Sequence, residues 1–138
     1  IQTTLTHGIR APGDDETRYN MMPRFLDDQM LKRDQIEDVA DYVLSLSGTK
    51  ADPAAIERGS KVFAENCVSC HGADAKGNQA MGAPDLVDAI WLYGGDRATV
   101  VATISHGRAG VMPAWGTRLT PGTIKELALY VHSLGGGK

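Results

Sequence analysis

The chain has 138 residues, enough for one ordinary domain or for a small domain with a fragment beside it. With 42% hydrophobic and 22% charged residues it has the make-up of a globular protein, not of a disordered or fibrous one. A formal net charge of −3 argues against nucleic acid as a partner, which calls for a basic patch, and no stretch approaches the ~18 apolar residues of a membrane span.

The sequence opens at Ile1-Gln2-Thr3 without an initiator Met or a leader-like segment, and reads as a mature or cut piece of something longer. The first predicted helix starts at Asp34, an N-cap residue with Glu37 as its capping-box partner, and stops at Gly48. Ile36, Val39, Ala40, Val43 and Leu46 give it one apolar face. The second starts at Asp52 with Pro53 in the first helical position, carries Ile56, Gly59 and Phe63 on one face, and runs up to Cys67. A shorter helix is predicted from Asp96 through Val100, Val101 and Ile104 towards His106. The last starts at Thr120-Pro121, places Ile124, Leu127, Ala128, Val131 and Leu134 on one face, and ends at Gly135-Gly136-Gly137. No run alternates as a half-buried strand would, so the fold class is all-α. Gly-rich loops at 72–84 and 107–119 separate the later helices, and long loops of that kind often wrap cofactors.

Three pairs of segments repeat in the same order. Thr6-His7-Gly8-Ile9-Arg10 echoes Ser105-His106-Gly107-Arg108, Met22-Pro23-Arg24-Phe25 echoes Met112-Pro113-Ala114-Trp115, and Tyr42-Val43-Leu44-Ser45-Leu46 echoes Tyr130-Val131-His132-Ser133-Leu134. Residues 1–48 thus read as the second half of a unit whose complete copy is 53–138, with 49–52 as the linker. The helix with Gly59 and Phe63 is expected to cross closely over Leu127 and Tyr130 of the last helix.

Both cysteines lie in Cys67-Val68-Ser69-Cys70-His71, the attachment signature of c-type haem. Two thiols three residues apart at a helix end can form thioethers with the two vinyl groups of one porphyrin, and His71 is then held beneath the iron as proximal ligand. A thioredoxin-like redox pair is the competing reading, but it belongs in a βαβ context, and a zinc site needs further ligands at metal spacing. A methionine as sixth ligand favours ferrous iron and leaves no open coordination position. Met81 and Met112 are the candidates. Met81 follows His71 too closely to cross to the opposite haem face, whereas 72–111 gives the chain length to do so and Pro113 holds Met112 extended; the alternative for either is a gap-filling methionine. The Pro84 carbonyl is a candidate acceptor for the second ring nitrogen of His71, or else part of a simple turn. Arg108 either pairs with a haem propionate or is a solvated surface residue. Trp91, Tyr93 and Trp115 are expected to line the haem pocket, with plain core packing as the alternative. The expected load is one covalent haem c.

On these motifs the complete copy resembles a class I cytochrome c domain: Gly59-x-x-x-Phe63, Cys67-x-x-Cys70-His71, Gly82-Ala83-Pro84-Asp85-Leu86, Met112-Pro113 and a last helix with Tyr130. More narrowly, Trp91-Leu92-Tyr93-Gly94-Gly95, Thr103-Ile104-Ser105-His106-Gly107-Arg108 and Val111-Met112-Pro113-Ala114-Trp115 look like the dihaem subunit, subunit III, of cbb3-type cytochrome c oxidase. The resemblance implies three to five helices around one haem c, preceded by a partial second copy. It implies an electron relay to a catalytic subunit that reduces oxygen, with no catalysis by this chain alone. Its partners would be the other oxidase subunits and a cytochrome c donor, on the periplasmic side of a bacterial inner membrane, with an N-terminal anchor in the full-length parent. A domain of another multi-haem periplasmic cytochrome, a haem enzyme such as a cytochrome c peroxidase, and a small-ligand sensor are the alternatives. The chain departs from the family pattern in lacking the anchor and the first Cys-x-x-Cys-His, and in having Phe25-Leu26 where Phe-Gly is usual. By the resemblance Met22 would be the distal ligand of a first haem, so it is expected here to be an orphan.

Overall fold

The computed structural model describes residues 1–135. Among them are six helices, α1 (Gln2–His7), α2 (Arg33–Leu46), α3 (Pro53–Asn66), α4 (Val68–His71), α5 (Arg97–His106) and α6 (Pro121–Ser133), joined by loops with only isolated β-bridges. The contacts divide the chain into two compact units, one made of Met21–Arg108 and the other of Ile1–Asn20 with Ala109–Lys138. These units do not follow the repeat: each draws on both copies.

In the larger unit α2 lies on α3 and α5. α3 begins where the sequence says it should: the Asp52 carboxylate accepts from the N–H groups of Ala54 and Ala55, and Pro53, which has no N–H to satisfy, takes the first helical position. α5 is capped in the same way by Asp96, which accepts from the Thr99 N–H. α2 starts one residue before the expected N-cap. Gln35 reaches back to accept from the Lys32 N–H at 3.0 Å, a bond that needs nothing from the cap's own side chain, so Asp34 falls within the first turn, where its charge suits the helix dipole. The α2 face expected to be apolar is the core: Ile36, Val39, Ala40 and Val43 are buried together with Leu44, Phe25, Leu31, Val62, Phe63, Val100 and Ile104, while Leu46 packs on them half-buried. On α3 Gly59 and Phe63 are buried and Ile56 is half-buried.

The helix that crosses α3 at Gly59 is α2, not the last helix as expected. A Cβ on Gly59 would meet the Asp38 carbonyl and, at 2.8 Å, the Cβ of Tyr42; the Tyr42 ring lies against Phe63 with centroids 5.3 Å apart. Tyr42 occupies, in the first copy, the place that Tyr130 has in the second. The sequence pattern identifies the contact but does not choose between two helices that carry the same residues.

In the smaller unit α6 packs on α1. Thr120 caps α6 by accepting from the Thr123 N–H, with Pro121 next to it, as expected. Its apolar stripe is largely uncovered: Ile124 is buried, Leu127 and Ala128 are half-buried, and Val131 and Leu134 are exposed, as are Leu129 and Tyr130. A helix as short as α1 covers only the start of that stripe. Of the glycine run expected to end the helix, Gly136 and Gly137 lie outside the described residues.

Candidate functional site: the thiol pair and its histidine

α3 runs straight into the thiol motif. The Cys67 N–H closes the last turn on the Phe63 carbonyl at 2.9 Å, and the next turn is α4, in which His71 donates to the Cys67 carbonyl at 2.9 Å. Cys67 and Cys70 are therefore one turn apart, on neighbouring positions of one helical surface; both are free and half-buried. Burial, with a smaller contribution from Cys70, pushes the Cys67 thiol up to about 11. The loop that follows folds back beneath the histidine. Gly72, at φ +79°, ends α4; Gly77 donates to the His71 carbonyl at 2.8 Å, and Asn78 and Ala83 exchange hydrogen bonds at 3.0 and 3.1 Å. Gly77 has φ +78°, and a Cβ there would come within 2.6 Å of the Pro84 carbonyl carbon, so glycine lets the two loop strands close.

This closure brings the Pro84 carbonyl to 3.1 Å from His71 Nδ1. Burial lowers the pKa of His71, against the raising effect of that hydrogen bond, and so favours the neutral imidazole. With Nδ1–H donating to a carbonyl, the lone pair is on Nε2, the tautomer a metal ligand needs. The surroundings fit a porphyrin. Leu86, Trp91, Met22, Cys67 and Val68 all pack on the core of the larger unit, and beside Trp91 the apolar side chains of Ile90 and Leu92 stand 81% and 86% exposed. Large apolar groups left in water are what a flat apolar cofactor would cover. A zinc reading finds no support, since no group of three or more His, Cys, Asp or Glu residues gathers among the described residues.

The other expected site residues divide between the units. Arg108 belongs to the larger one; its guanidinium donates to the Thr103 hydroxyl at 2.7 and 3.2 Å and lies 4.0 Å from the centre of the half-exposed Tyr93 ring. Trp115 and Met112 belong to the smaller one. There the Trp115 N–H donates to the Leu5 carbonyl at 3.0 Å with the Arg118 guanidinium over its ring, and Met112 exchanges backbone hydrogen bonds with Ile9. Met81 sits in the tight turn of the 72–84 loop, 36% exposed. His106 is held by Asp27 at 3.0 Å and His7 by Asp14 at 3.2 Å. A cleft of about 740 Å³ beside α2 and α3 is lined by charged residues such as Asp38, Asp41, Arg58 and Arg97, and includes none of the residues named for the haem.

Residues 54–131 match the family model described as cytochrome C oxidase, cbb3-type, subunit III. The chain belongs to that family. Among its curated relatives are the cbb3-type cytochrome c oxidase subunit CcoP of Cereibacter sphaeroides, 54% identical, and the FixP subunits of Azorhizobium caulinodans, 55% identical, and of a Bradyrhizobium species, 57% identical. All of this chain is covered in each match, against 48%, 46% and 48% of the respective relatives, so the chain spans about half the length of the curated relatives it matches. The family match lies within the complete copy read from the repeat, and a cytochrome c domain of subunit III implies haem c. Sequence reasoning did not expect Met22 to pack, half-buried, on the core of the larger unit; the signal that could have found it is the repeat itself, in which Met22-Pro23 matches Met112-Pro113 residue for residue.

Proposed function

We propose that this chain is an electron relay: it holds one haem c through Cys67 and Cys70, with His71 as proximal ligand, and passes single electrons toward the catalytic subunit of a cbb3-type oxidase. The observation that carries this reading is His71, its Nδ1 tied to the Pro84 carbonyl at 3.1 Å on the turn that also presents both free thiols. Bound there, haem c would supply a one-electron iron couple. The chain's own residues do the rest. α4 fixes the spacing of the thiols, Pro84 fixes the tautomer and ring plane of the imidazole, and Trp91 and Leu86 keep water from that side of the core. Arg108, braced by Thr103 and Tyr93, keeps guanidinium N–H groups to spare for a propionate. With haem bound, a methionine thioether would complete the coordination and leave no position for oxygen, which suits transfer without bond making. The partners that follow are the other oxidase subunits and a cytochrome c donor, on the periplasmic face of a bacterial inner membrane. No helix among the described residues is long and apolar enough to cross a membrane, so attachment to that membrane would come through the assembled complex or the rest of the parent.

A pyridine haemochrome spectrum with a protein determination tests the cofactor, and carbon monoxide added to the untreated reduced protein tests the role. One haem c per chain and no carbon monoxide binding are expected. A five-coordinate resting haem that binds carbon monoxide would favour a peroxidase or a sensor.

A further inference from the structure

Arg108 differs from other arginines of the larger unit in what holds it. Arg24, Arg58 and Arg97 donate to the carboxylates of Asp28, Asp38 and Asp41 at 2.7, 2.7 and 2.6 Å. The half-buried Arg108 is in no ion pair among the described residues. Its Nε and Nη2 groups both donate to the Thr103 hydroxyl, at 3.2 and 2.7 Å, and its guanidinium carbon lies 4.0 Å from the centre of the Tyr93 ring. A carboxylate partner would cancel the charge. A hydroxyl and a ring face fix the plane of the guanidinium and leave its charge whole, with both N–H groups of Nη1 still to donate.

The chain around these three residues supports the arrangement. Gly107, at φ +68°, ends α5 and turns Arg108 back over the last turn, where Thr103 stands half-buried on the helix that buries Val100 and Ile104. Tyr93 is placed by Trp91, two residues before it, which packs on the same core as Cys67 and Leu86, and Gly95 lies so close to the Trp91 ring that a Cβ there would come within 2.6 Å of it. The threonine has a counterpart in the smaller unit. Thr4 stands three residues before His7, as Thr103 does before His106, and its hydroxyl accepts from Arg18 Nη2 at 3.3 Å. The arginine comes from a different place in each copy, while the threonine keeps its register, so this hydroxyl is a recurrent rest for a guanidinium. We infer that Thr103 and Tyr93 are positioning residues that hold Arg108, with its charge unneutralised, against a haem propionate and so raise the potential of the iron. A positive charge fixed there disfavours the ferric state, which carries one more positive charge than the ferrous. The inference rests on the haem attachment and the Arg108–propionate pairing proposed above.

The test is a redox titration of the matured 138-residue chain, with haem content measured on each variant. Arg108→Gln should lower the potential. Thr103→Val, which keeps the side-chain shape but loses the hydroxyl, and Tyr93→Leu, which loses the ring, should shift it in the same direction by a smaller amount. Thr103→Ser keeps the acceptor and Tyr93→Phe keeps the ring face, so both should stay at the wild-type potential. Thr103→Val added to Arg108→Gln should give no further shift, because the threonine acts through the arginine; a residue that merely supported the fold would shift both backgrounds alike. A wild-type potential in Arg108→Gln, or in both Thr103→Val and Tyr93→Leu, would overturn the inference, as would an undiminished effect of Thr103→Val in the Arg108→Gln background. A wild-type chain with no covalent haem would instead overturn the proposed function, and this inference with it.

Discussion

Cys67 and Cys70 are each expected to carry one thioether, so they should fail separately. Cys67→Ala or Cys70→Ala should lower the yield of covalent haem, and the double variant should retain none after extraction with acidified organic solvent, read on the denatured chain. A fully folded, colourless double variant would contradict the view that the porphyrin forms part of this core. Asp96 makes a different prediction at the same scale. Its carboxylate accepts from the Thr99 hydroxyl at 2.6 Å and the Thr99 N–H at 2.9 Å, which holds it below its ordinary value of 3.8. A carboxylate that is more acidic when folded adds stability that is present above its unfolded pKa and lost as the pH falls through the folded one. Asp96→Asn keeps an acceptor for the cap and should flatten the acid limb of stability, whereas Asp96→Ala should be weaker throughout. Urea midpoints measured from pH 7 down to the acid limb separate the two; identical curves for wild type and Asp96→Asn would remove Asp96 from the acid response.

Between elements, the crossing of α2 on α3 turns on Gly59. Gly59→Ala puts a methyl group against the Asp38 carbonyl and the Tyr42 Cβ, in a backbone contact that cannot yield locally, and should cost about 1–3 kcal/mol by overpacking. Gly122→Ala is the same chemical change in α6, where the nearest group to the new Cβ is the Thr120 hydroxyl at 3.7 Å; it should be neutral or stabilise by up to about 1 kcal/mol through helix propensity. Denaturant midpoints of the two variants should therefore move in opposite directions, and a shared downward shift would mean that Gly59 is not a close-approach position. At this scale the sequence is readable where signals are local. The caps at Asp52, Asp96 and Thr120, the thiol turn, and the Pro84 carbonyl under His71 all follow from residues near each other in the chain or from a short loop. The start of α2 does not, because Lys32 carries no capping side chain and the bond comes from Gln35. Nor does the burial of α6: periodicity marks an apolar face without naming what covers it, and the Leu129, Tyr130, Val131 and Leu134 side chains stand exposed. Nor does the packing of Met22, and not Met112, on the core of the larger unit, since two copies with the same arm and the same Met-Pro segment offer equivalent local patterns.

For the whole molecule the two cysteines set the count. His7 and Met22 lie in the first copy without a thiol to tether a porphyrin, so 138 residues should carry one haem, although the parent family is described by the resemblance as a dihaem subunit. The first copy instead supplies α2 and its core residues Ile36, Val39 and Val43 to the unit that holds the thiol motif, so its apolar face is buried by protein. The most direct measurement is the intact mass of the matured chain, followed by mass mapping of its proteolytic peptides. The expected result is an increase by the mass of a single haem, located on the peptide that contains Cys67-Val68-Ser69-Cys70-His71. An unmodified chain with both thiols free after maturation in a host that makes c-type cytochromes, or a mass increase of two haems, would contradict it.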